Sequence, residues 1–137
     1  MSARTSRAQP RPQRLRDERG SLTIEAVVIF PALMLILLLG TQGAMYYHAR
    51  SVAIGAAADG ARAQSLEHAT GDDGTAAAHA FIAQAGGDDV LRGVEVNSSQ
   101  LAHSATVTVS GTSMSLIPGW DPRVTQSATA PLERITP

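Results

Sequence analysis

Between residues 26 and 40 the chain reads AVVIFPALMLILLLG, with no charged side chain. Nothing else in the sequence constrains the fold as strongly. Continued through Thr41, Gln42, Gly43, Ala44, Met45, Tyr46 and Tyr47, the run reaches about 22 residues, or roughly 33 Å as a helix, which is enough to cross a bilayer. Pro31 lies inside it. A soluble helix would lose about 3 kcal/mol there, whereas membrane helices tolerate proline because neighbouring groups re-satisfy the freed carbonyl. A buried core helix is the weaker reading, because too little chain remains to cover such a surface. A secretory signal peptide would share the basic start and apolar core. However, the run is long, Gln42-Gly43-Ala44 is a poor cleavage site, and Ala56-Ala57-Ala58 lies far beyond it.

Charge sets the expected orientation. Residues 1–19 carry six arginines (Arg4, Arg7, Arg11, Arg14, Arg16, Arg19) against Asp17 and Glu18, while everything after Tyr47 carries five arginines against nine carboxylates. A basic end before an apolar helix and an acidic end after it follow the positive-inside rule. The expectation is a single-pass protein of the cytoplasmic (inner) membrane, with its N-terminus in the cytoplasm and its C-terminal domain outside. Tyr46 and Tyr47 then fall at the far interface, where aromatic belts form. A net charge of −1 built from two opposed ends argues for orientation rather than for nucleic-acid binding. The chain has no cysteine, which removes thiol catalysis, thiolate zinc sites and iron–sulfur clusters from consideration. All eleven basic residues are arginine, as in a GC-rich bacterial genome.

The junction before the apolar run is the specific signal. It reads Arg19-Gly20-Ser21-Leu22-Thr23-Ile24-Glu25-Ala26, so one carboxylate stands at the mouth of the hydrophobic helix. A charge at a bilayer centre costs about 2.5–3.5 kcal/mol and less at the interface, and ionisable residues in such places mark function by default. The bland reading makes Glu25 an interfacial charge after a helix cap supplied by Thr23 or Ser21.

A basic leader, a Gly, four residues and then a Glu ahead of an apolar helix resemble the processing site of type IV prepilins and pseudopilins. More narrowly, residues 20–40, the small-residue stretch 56–63 (AAADGARA) and the ending Ala130-Pro131-Leu132-Glu133-Arg134 resemble TadE-like pseudopilins of the tight-adherence (Flp) pilus system. The resemblance implies cleavage by a membrane-embedded prepilin peptidase between Gly20 and Ser21. It makes Glu25 the assembly carboxylate, paired with the freed amine of a neighbouring subunit. It also implies other pilin-like subunits and pilus assembly proteins as partners, alongside the lipid bilayer. Ser21 departs from the bulky residue that many prepilins carry after the Gly.

The remainder predicts an α+β domain. Ala49, Ala53, Ala56, Gly60 and Ala63 recur at spacings of four and three, giving one helical face of small side chains. That face suits a neighbouring subunit or, preferably, the chain's own domain. Residues 67–74 read as a loop, and Thr75 as the cap of a short helix over 76–85 with Phe81, Ile82 and Ala85 inward, ended by Gly86-Gly87. The period then becomes two: Val90, Val94 and Val96 share one face of a strand, and Ala105, Val107 and Val109 one face of a second. Residues 100–104 link them. Residues 114–117 form an apolar run stopped by Pro118-Gly119, and 124–130 a last strand at an edge. The organisation expected is a basic cytoplasmic leader over 1–20, a transmembrane helix over 21–47, a helical extension over 48–66 and an extracytoplasmic α+β domain over 67–137. In outline the fold is pilin-like, with a long helix, a short helix and a small antiparallel sheet.

No motif for chemistry appears. His48, His68, His79 and His103 show no metal-ligand spacing, Asp72-Asp73 and Asp88-Asp89 lack the alternating ligands of a calcium loop, and no phosphate-binding or nucleophile signature is present. The expectation is a non-enzymatic protein with no cofactor, no metal and no nucleic-acid partner. The competing reading is an uncleaved, membrane-anchored interaction module with an extracytoplasmic binding domain.

Overall fold

The computed structural model describes the backbone of residues 17–132 and the side chains of residues 23–132. Arg4, Arg7, Arg11, Arg14 and Arg16 of the expected leader, and Glu133 and Arg134 of the ending, lie outside the described residues. Helix α1 (Asp17–Ser65) is a 49-residue helix with Pro31 inside it. Helix α2 (Asp73–Gln84) and a short 3₁₀ turn (Gly87–Asp89) follow. Three strands complete the chain: β1 (Leu91–Gln100), β2 (Ser104–Ser113) and β3 (Arg123–Pro131). They form one antiparallel sheet in the order β1-β2-β3. The architecture is α+β, as the sequence pattern predicts. The chain forms two compact units, Met1–Leu37 and Leu38–Pro137.

In the described part of the first unit, every side chain from Thr23 to Leu37 is exposed, including Ile24, Val27, Phe30, Leu35 and Leu37. Among the described residues, α1 contains the one stretch long and apolar enough to cross a membrane.

In the second unit the same helix changes character. Ala49, Ala53, Ala56 and Gly60 are buried, with Ala57 and Ala61 beside them. Their core partners are Ala78 and Ile82 of α2 and Leu91, Val107, Val109 and Val124 of the sheet. The small-residue face thus seats α1 on its own domain. Close approach explains why glycine is tolerated here despite a helix penalty of about 1 kcal/mol each. A Cβ on Gly55 would stand 2.5 Å from the Phe81 ring, and one on Gly60 would stand 2.7 Å from the carbonyl oxygen of Gly74.

The sheet shows the one-wet-face alternation of antiparallel sheets. Ala105, Val107 and Val109 of β2 are buried. The opposite face is a lawn of hydroxyls, with Thr106 bonded to Thr129 at 2.9 Å and Thr108 donating to Ser127 at 3.0 Å.

Four local expectations need correction. Helix α2 begins at Asp73, so Gly74 belongs to the helix rather than the loop, and Thr75 is an interior residue whose hydroxyl donates to Ser98 at 3.4 Å. The loop before α2 is instead pinned by buried Gln64, whose Nε2 donates to the Thr70 carbonyl at 3.0 Å and whose Oε1 accepts from Gly74 N–H at 3.0 Å. Val90, Val94 and Val96 all pack against the core, as expected, but Val90 caps the 3₁₀ turn rather than opening the strand, and the fully buried residue at the start of β1 is Leu91. The register shifts between Arg92 and Glu95, with Gly93 at φ 57°. One extra residue at this bulge lets Leu91 and Val94 face the same side despite their odd spacing. Finally, Ser21 and Thr23 are not caps, because α1 begins four residues before Ser21. The end of α2 follows expectation: Gly86 at φ 123° and Gly87 at φ 59° occupy conformations that other residues rarely adopt.

Candidate processing and assembly site

The junction residues all lie near the start of α1. Gly20 and Ser21 fall within its first turns, and Glu25 is exposed. Glu25 lies five positions after Gly20, about 7.5 Å along a helix axis. Their arrangement is simple: a glycine peptide bond near a helix start, then an exposed carboxylate beside Ile24, Val27 and Val28, which are exposed too. Glycine at position 20 weakens the helix locally by about 1 kcal/mol relative to alanine. The Ser21 side chain lies outside the described residues.

A second feature, at the other end of the apolar run, escaped sequence reasoning. Gln42 is 2% exposed. Its Oε1 accepts from Leu116 N–H at 2.8 Å and from the Ser115 hydroxyl at 3.4 Å, while its Nε2 donates to the Met114 carbonyl at 3.4 Å. The loop between β2 and β3 is thereby tied to the helix turn that follows Leu38 and Leu39. A single glutamine after an apolar run carries no sequence signal of this role, because its partners lie 72 to 74 positions away.

Residues 20–62 match the family model described as TadE-like protein. This stretch is TadE-like. The match begins at Gly20 and takes in Glu25, the whole apolar run and the alanine face through Arg62, so the resemblance read from the junction is shown for that segment. The sheet lies beyond the TadE-like segment. No curated protein and no solved structure matches the chain.

The other candidate ligands remain scattered. His48, His68, His79 and His103 are all exposed and come from separate elements or loops. Among the described residues no three His, Asp or Glu side chains converge as a metal-binding group. Asp73 acts locally, its carboxylate accepting from Thr70 N–H at 2.6 Å and closing the turn before α2.

Proposed function

We propose that this chain is a non-enzymatic TadE-like subunit or assembly factor of a pilus system, anchored by α1 in the cytoplasmic membrane and processed after Gly20. The observation that carries the reading is the TadE-like match over residues 20–62, which starts at the glycine of the junction. The exposed apolar run of α1 supports the anchor. In this reading the leader stays in the cytoplasm, the sheet domain lies outside, and a prepilin peptidase removes residues 1–20.

The chemistry that follows is electrostatic. Cleavage frees an α-amino group on Ser21 with a pKa of about 8. In a low-dielectric setting that cation and the Glu25 carboxylate of a neighbouring subunit attract strongly and fix register. A lone carboxylate is costly at the edge of a bilayer, and such pairing offsets the cost. Mass spectrometry of the protein purified from membranes of cells that express the peptidase tests the processing step. A mature chain beginning at Ser21 is expected; an intact leader removes the proposal.

One observation favours the second reading, an uncleaved anchor carrying an interaction module. The Gly20–Ser21 bond lies within helix α1 (Asp17–Ser65), so cleavage requires the helix to open there. Glu25→Ala separates the two. Assembly fails with membrane insertion intact if Glu25 pairs with an amine, and little changes if α1 is only an anchor.

A further inference from the structure

The loop between β2 and β3, residues 114–122, reads MSLIPGWDP. Its apolar side chains are poorly used by the domain. Leu116 is 47% exposed and Trp120 is 48% exposed, and neither belongs to the core cluster. Yet hydrogen bonds hold the loop. Gln42 bonds it through Met114, Ser115 and Leu116, the Ser115 hydroxyl bonds Ile117 N–H at 3.1 Å, and Trp120 N–H closes the turn onto the Ile117 carbonyl at 3.2 Å. A structured loop that holds out a Leu and a Trp is built to meet a surface.

Its place along α1 says which surface. Gln42 lies three residues after Leu39, an exposed apolar residue at the end of the hydrophobic run. The loop is therefore fixed within one turn of the point where the apolar run stops. A cleft of about 410 Å³ lies between loop and helix, lined by Gln42, Gly43, Tyr46, Trp120, Pro122 and Arg123. Tyr46 and Tyr47 stand edge to face, with ring centroids 6.0 Å apart. The chain's one tryptophan and both its tyrosines thus gather beside the same few turns of helix. Tryptophan and tyrosine are the residues that concentrate at the headgroup level of membrane proteins, where an apolar body and a polar tip are both satisfied.

We infer that this loop is a second, interfacial membrane contact, with Leu116 and Trp120 seated in the headgroup region of the bilayer that α1 enters. It rests on the membrane-anchored reading of α1. The loop carries one charge, Asp121, which limits it to the headgroup region. Two contacts, one spanning and one lateral, fix the tilt of the domain against the membrane, whereas a helix alone leaves it free to rock.

Trp120 is its own probe. The full chain is reconstituted in phosphatidylcholine–phosphatidylglycerol vesicles, and its emission is read with lipids brominated at shallow or deep acyl positions and with aqueous acrylamide. Strong quenching by shallow bromines, weak quenching by deep ones and protection from acrylamide are expected. A parallel chain carrying Trp120→Phe and Leu35→Trp reports on the span and should be quenched best by deep bromines. If position 35 is quenched and Trp120 is not, the lateral contact is overturned while the anchor stands. Protection of Trp120 from acrylamide without bromine quenching assigns the loop to a protein partner and overturns it as well. If neither position is quenched by lipid, anchor and loop contact both fall.

Discussion

The two halves of α1 treat apolar side chains in opposite ways. From Ile24 to Leu39 the helix carries large residues and leaves them exposed, whereas from Ala49 to Ala61 it carries small ones and buries them. Hydrophobicity alone would assign the core to the first half. Geometry assigns it to the second, because only small side chains allow α2 and the sheet to approach the helix backbone closely. The large side chains have no use inside the domain, and their exposure makes sense against a medium other than water. Gln42 stands between the two regimes, its amide bonded to the loop 114–122.

Substitutions can break this contrast from either side. The largest effect is expected in the exposed half: Leu35→Arg should cost about 3–4 kcal/mol of insertion free energy, read as protein released from membranes by alkaline extraction. In the buried half, Gly60→Leu places a Cβ 2.7 Å from the Gly74 carbonyl oxygen, a backbone atom that cannot swing aside as a side-chain end can. A loss near the upper end of about 1–3 kcal/mol is expected, read as a lowered unfolding midpoint with membrane association unchanged. Gln42→Leu leaves the Leu116 N–H without its acceptor and should cost about 1–3 kcal/mol, with faster hydrogen exchange confined to residues 114–118. The smallest effect is expected on the wet face of the sheet. Thr108→Val removes one exposed hydroxyl pair and should move stability by less than about 0.5 kcal/mol. Breaking the exposed Arg123–Glu95 ion pair, 3.7 Å apart, should matter as little.

The legible parts of this fold were the periodic ones. The four-three spacing of Ala49, Ala53, Ala56 and Gly60 names a buried face whatever covers it, and the alternation of Ala105, Val107 and Val109 names the inner face of β2. Leu91 was hidden because its inward direction depends on the bulge at Gly93, and a backbone bulge leaves no mark in a hydrophobic pattern. Gly74 looked like loop because glycine usually marks one; here its lack of a side chain admits Gln64 and the Gly60 backbone. In the candidate site, Gly20 and Glu25 were legible as a motif before an apolar run. Gln42 was not, since a buried amide is recognisable only once its distant partners are in place.

In the proposed arrangement lipid covers the exposed apolar half of α1 while the sheet domain stands in water. The chain has no cysteine, so a single introduced thiol reports one position. Leu35→Cys and Ser127→Cys, both at exposed sites, are expressed in separate cells, and spheroplasts are treated with a membrane-impermeant maleimide. Position 127 should react fully without detergent, and position 35 only after detergent is added. Equal labelling of both positions in intact spheroplasts would contradict that arrangement.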